Sequence, residues 1–170
     1  MNPFASQAPA AQAPIAGFQQ NPLDGIENAK MPGSSKPKLE ENHDYVVEVT
    51  DYVLNKGTFF IECTVVESKG GSPVGFQTSI SQSTKSDFWE GYFKKIVLSN
   101  MGVDPNNAQA YAPALPYIKP CLTEALTKVA DPSLPVHLIG RKMRVYVSPG
   151  KAPAPGKKYY PNELCLPYND

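Results

Sequence analysis

The sequence predicts a mainly β fold: five strands wound as a Greek-key barrel, a helix between the third and fourth, and a disordered N-terminal tail. Three observations predict it. Between Asp44 and Ser83 apolar residues recur at period two in three runs separated by turn residues. From Phe88 the period changes to three-and-four, the signature of a helix face. Strand character then returns at Leu138 and, after a Pro/Gly/Lys loop, again over Lys157–Pro167.

The tail comes first. Residues 1–39 are rich in Ala, Pro and Gln, as in Ala8-Pro9-Ala10-Ala11-Gln12-Ala13-Pro14, and poor in Val, Ile and Leu. Such a segment buries too little apolar area to offset its ordering entropy, so disorder is expected, with a short docked piece around Ile15–Phe18. It is either inert or a contact arm for a partner or a neighbouring subunit. Residues 40–170 form the expected folded domain, with a helical insert at about 85–130.

The first strand, Asp44–Leu54, places Tyr45, Val47, Val49 and Val53 on one face by strict alternation and leaves Tyr52 on the other. Asn55-Lys56-Gly57 supplies turn chemistry. The second strand, Thr58–Glu67, has Phe59, Ile61, Cys63 and Val65 facing the core and Phe60 facing away. A third, more polar strand spans Val74–Ser83 with Phe76, Thr78 and Ile80 alternating. The helix over Phe88–Met101 buries Trp89, Phe93, Ile96, Val97 and Asn100, with Asp87 and Glu90 as a capping pair and Gly102 as the stop. Residues 103–117 read as irregular. Pro120–Ala130 reads as a second short helix with Leu122, Ala125, Leu126 and Val129 on one face. Met143, Val145 and Val147 point inward from the fourth strand, and Lys157–Pro167 makes the fifth after a Pro/Gly/Lys loop.

Five strands with a helix between the third and fourth match the oligonucleotide-binding (OB) fold, and a β-sandwich with an inserted helix reads similarly. The opening Leu39-Glu40-Glu41-Asn42-His43-Asp44-Tyr45-Val46-Val47-Glu48-Val49 resembles the first strand of phage-encoded single-stranded-DNA-binding proteins of the OB class. Leu138-Ile139-Gly140-Arg141-Lys142-Met143-Arg144-Val145-Tyr146-Val147 resembles their fourth, and Pro155-Gly156-Lys157-Lys158-Tyr159-Tyr160-Pro161-Asn162 their lysine-rich passage into an aromatic last strand. The resemblance covers roughly residues 39–168 and implies binding of single-stranded DNA in replication, recombination or repair. Replication or recombination proteins are expected as partners, and a homo-oligomer is a further expectation. Many bacterial-type single-strand binders end in an acidic partner-docking tip; Leu166-Pro167-Tyr168-Asn169-Asp170 is no such tip, which points to the N-terminal tail as the recruiting segment.

Composition sets the limits. Sixteen basic and sixteen acidic residues give zero formal net charge, so any attraction for nucleic acid must be local. The three cysteines, Cys63, Cys121 and Cys165, are odd in number and dispersed, which argues against a disulfide framework and for a reducing, cytoplasmic setting, the host cytoplasm if the gene is a phage's. Neither a membrane span nor a signal peptide is legible. Neither His43 nor His137 lies at a metal-ligand spacing, and no phosphate-cradling loop or nucleophile elbow occurs, so neither cofactor nor enzymatic activity is expected.

Single-strand binders combine a basic groove with aromatic platforms. Between Asp131 and Glu163 there is no acidic residue, and that window holds Arg141, Lys142, Arg144, Lys151, Lys157 and Lys158 with Tyr146, Tyr159 and Tyr160. Arg144 and Tyr146 share the outward face of the fourth strand. The first hairpin adds Tyr52, Lys56 and Phe60, although Glu48, Asp51, Glu62 and Glu67 oppose phosphate on that side. The alternative is a protein-interaction or virion structural module on the same barrel without nucleic-acid binding, with outward aromatics such as Phe60 in its interface.

Overall fold

The structure, a computed structural model, describes residues 36–157 and 159–168. Residues 1–35 of the tail expected over 1–39, including the docked piece expected around Ile15–Phe18, and the candidate Lys158 lie outside the described residues. The order is β1 (His43–Asn55), β2 (Thr58–Ser68), β3 (Gln77–Ser83), α1 (Trp89–Asn100), α2 (Ala108–Tyr111), α3 (Leu115–Thr127), β4 (Lys142–Ser148) and β5 (Asn162–Pro167), with a 3₁₀ turn at Ala112–Ala114. The five strands form one antiparallel sheet in the order β3-β2-β1-β4-β5. Among the described residues, backbone pairing leaves β3 and β5 as edges, so the sheet is open rather than the closed barrel expected.

β1 and β2 meet through a two-residue turn in which Lys56 (φ 47°) and Gly57 (φ 75°) both take the left-handed conformation such a hairpin needs. The inner face alternates as predicted in β2 and β4: Ile61, Cys63, Val65, Met143, Val145 and Val147 are all fully buried. Burial of such side chains contributes roughly 1.5–3 kcal/mol each. Cys63 on β2 and Cys165 on β5 belong to one core cluster. Burial first, and the Cys165 thiol next, push the Cys63 thiol well above its usual value.

β1 departs from strict alternation. Val49 pairs with Cys63, but Asp51, two residues on, pairs with Glu62, so Thr50 is an extra residue and the phase slips by one. The slip corrects one expectation: Tyr52 turns inward opposite Ile61 and is 1% exposed, while Val53 turns outward. The Tyr52 hydroxyl accepts a hydrogen bond from Asn100 Nδ2 (2.9 Å), and Asn100, also buried, donates to the Leu138 carbonyl (3.0 Å). Burial drives the Tyr52 hydroxyl far above its usual value.

α1 begins one residue later than the Asp87–Glu90 pair predicts. Its N-cap is Phe88 without side-chain capping, the entry being a turn from Trp89 N–H to the Ser86 carbonyl (3.1 Å). Its end is as predicted: Gly102 (φ 82°) donates to Ser99 and Val103 to Leu98, closing the last turn on a glycine. Phe59 stacks on Phe93 at 4.2 Å and on Trp89 at 5.9 Å, fixing the helix to the sheet. The stretch expected to be irregular instead carries α2, the 3₁₀ turn and the start of α3. Asn107 caps α2 through its side chain, and Pro116, not Pro120, stands in the first turn of α3. Lys128 (φ 61°) ends α3, so Val129 lies past it and is exposed.

The two sheet edges are covered. Ser99 Oγ of α1 donates to the Cys165 carbonyl of β5 (2.9 Å). Residues 36–39, assigned to the tail on sequence grounds, instead form a strap across the gap. Pro37 O accepts from Thr78 Oγ1 (3.0 Å), and Lys38 Nζ donates to the Ser79 carbonyl of β3 (2.6 Å) and stands 3.5 Å from Glu163 Oε1 of β5. Leu39 is 3% exposed in the core. An edge otherwise left unpaired is a site for unwanted strand addition, and the strap occupies it.

Candidate functional site

The β4–β5 connection, residues 149–161, is where the predicted basic and aromatic residues gather. Four prolines (Pro149, Pro153, Pro155, Pro161) restrict its backbone. Lys157 N–H returns to the Ala154 carbonyl (2.9 Å) through Pro155 and Gly156 (φ 76°), a turn of type II geometry. The neck is tight: a Cβ on Gly150 would stand 1.9 Å from the Tyr160 carbonyl oxygen. This close approach keeps Tyr159 and Tyr160 out of β5, which begins at Asn162 rather than at Lys157 as predicted.

Within the loop Lys151, Lys157 and Tyr160 are exposed, and Tyr160 retains 61% of its surface. Tyr159 is held differently. Its hydroxyl accepts from the Gly150 N–H (2.8 Å) and donates to Glu41 Oε1. That acceptor, more than burial, holds the Tyr159 hydroxyl above its usual value.

On β4 the outward residues Lys142, Arg144 and Tyr146 are aligned as predicted, but β1 sets acidic side chains beside them. Glu48 lies opposite Lys142, and Asp44 lies opposite Tyr146. Arg144 Nη2 reaches Asp44 Oδ1 at 3.3 Å, and Lys142 lies over the Tyr168 ring at 5.4 Å. Tyr168 in turn donates to Glu67 (2.7 Å). The β4 face is therefore a mixed-charge lattice rather than a basic stripe. Arg141 lies apart, donating from Nε to the Asn100 carbonyl (2.9 Å) at the end of α1, where it satisfies a free helix carbonyl.

At the other end of β1, Lys56 is exposed and Phe60 is half-buried on the outer face, opposite Ser81 and Val53. The Gly57 carbonyl accepts both the N–H and the hydroxyl of Thr84, each at 2.8 Å, which ties the hairpin turn to the approach to α1. There Phe88 and Tyr92, 75% and 59% exposed, lie near Lys85 in sequence. Sequence reasoning missed both; their signal is that they fall off the apolar phase that turns Trp89 and Phe93 toward the core. It also missed Glu41, whose role depends on a contact 118 residues away in sequence.

A cavity of about 450 Å³ lies between α3 and the segment leading to β4. Its charged groups are already paired: Glu124 with His137 Nδ1 (2.8 Å) and Lys128 with Asp51. Among the described residues no group of His, Cys, Asp and Glu could hold a metal ion, and no helix is long and apolar enough to cross a membrane.

No family model, curated protein or solved structure matches this chain.

Proposed function

We propose that this chain binds single-stranded DNA with little regard to sequence, in the service of replication, recombination or repair. The observation that carries the reading is the β4–β5 loop. It exposes a 61%-accessible tyrosine, Tyr160, in the same loop as the exposed Lys151 and Lys157, in a stretch of sequence with no carboxylate between Asp131 and Glu163. A base stacks on the ring and phosphates meet the ammonium groups, the pairing such binders use. The strand order supports the reading at the level of fold. With β3 and β5 as edges it is the order of a five-stranded Greek key opened at one seam, and OB barrels are commonly part-open there. The strap of residues 36–39 fills that seam.

Arg144 and Lys142 contribute less than their charge suggests, because Asp44 and Glu48 offset them. Titration of labelled oligo-dT tests the ranking. Tyr160→Ala lowers affinity by about 1–3 kcal/mol, the usual worth of one stacked base. Arg144→Ala lowers it less. Equal binding by wild type and Tyr160→Ala contradicts the assignment of the loop.

A protein-interaction module is the second reading, favoured by Leu164, which is 51% exposed on the outer face of β5 opposite Tyr146. It predicts a defined oligomer that Leu164→Lys dissolves, and no retention of oligo-dT at low salt.

A further inference from the structure

The loop that carries the proposed site has its own restraint. Tyr159 reaches in two directions, accepting from Gly150 at the loop's start and donating to Glu41 outside the loop altogether. Glu41 is itself fixed, because the turn it shares with Asn42 (φ 65°) returns Asn42 N–H to the Val147 carbonyl (2.7 Å) at the end of β4. The Gly150–Tyr160 close approach then fixes the Tyr160 backbone within the same neck. A flexible loop of this length would lose conformational freedom on binding; one already held in shape loses less, and affinity rises accordingly.

We infer that Glu41 and Tyr159 form a clamp that holds the β4–β5 loop in its binding shape, so both act as positioning residues for single-stranded DNA. The inference rests on the proposed single-strand site. It reassigns Tyr159 from stacking platform to support and leaves Tyr160 as the platform. It also gives a carboxylate beside a phosphate-binding loop a favourable role, which simple electrostatics denies it.

That opposition in sign makes the test. Removing a carboxylate near bound phosphate strengthens binding if charge alone matters. Removing a clamp weakens it. Three single variants and one double variant of the full chain are titrated with oligo-dT, with Tyr117→Phe on α3 as the control. Glu41→Ala loses charge and acceptor and is expected to bind about three- to tenfold more weakly. Glu41→Gln keeps an acceptor oxygen without the charge and is expected to bind at least as well as wild type. Tyr159→Phe keeps the ring without the hydroxyl and is expected to weaken binding as Glu41→Ala does. Combining Tyr159→Phe with Glu41→Ala adds little to either alone. Tighter binding by Glu41→Ala together with unchanged binding by Tyr159→Phe overturns the clamp. If wild type binds no oligo-dT, the single-strand reading fails, and amide exchange of residues 150–157 decides the clamp alone. Faster exchange in Glu41→Ala supports it, and unchanged exchange overturns it.

Discussion

Tyr52 shows how far one inserted residue changes a functional reading. Alternation along β1 sends it outward as a stacking candidate, and the bulge at Thr50 sends it into the core onto Asn100. Tyr52→Phe should therefore leave oligo-dT affinity unchanged and cost about 1–2 kcal/mol in urea unfolding, since Asn100 loses a buried partner. A loss of DNA affinity without a loss of stability would contradict the assignment. Glu163 makes a second residue-scale prediction. Burial, opposed by Lys38, raises its folded-state value above the ordinary 4.5. The folded state therefore holds that proton more tightly than the unfolded chain does. The corresponding stability is fully present below pH 4.5 and is lost as pH rises through the raised folded value. Glu163→Gln removes that fall, so the difference in urea midpoint between variant and wild type should grow in the variant's favour from pH 4.5 upward. A flat difference contradicts the burial account.

At the scale of elements, the strap is the feature that composition obscured. Pro37, Lys38 and Leu39 look like the end of a polar tail, yet Leu39 is as buried as much of the sheet. Leu39→Ala should cost about 2–4 kcal/mol in chemical unfolding, as a core truncation does; a cost within a few tenths would return the strap to the tail. The strands themselves were legible because β2 as far as Val65 and β4 throughout keep a period of two, which a buried inner face enforces. Boundaries were less so. The start of β5 depends on the Gly150–Tyr160 approach, and the start of α1 on a backbone turn at Ser86, neither of which has a periodic signature. The candidate site was legible to the same extent. Runs of Lys and Tyr mark the loop, whereas the Asp44–Arg144 pair and the Glu41–Tyr159 contact join segments 100 or more residues apart.

For the whole molecule, zero net charge means that long-range attraction supplies little, and the β4–β5 loop must hold the phosphates locally. The measurement that tests this most directly is the salt dependence of oligo-dT binding by fluorescence anisotropy, beside a duplex of equal length. Each phosphate neutralised on a single strand contributes about 0.7 to the slope of log affinity against log salt. Wild type should bind the single strand in preference to the duplex, with affinity falling as salt rises. The double variant Lys151→Ala, Lys157→Ala should have a slope shallower by about 1.4, two such contributions. Absence of binding at low salt, or a slope that the double variant leaves unchanged, would contradict the account.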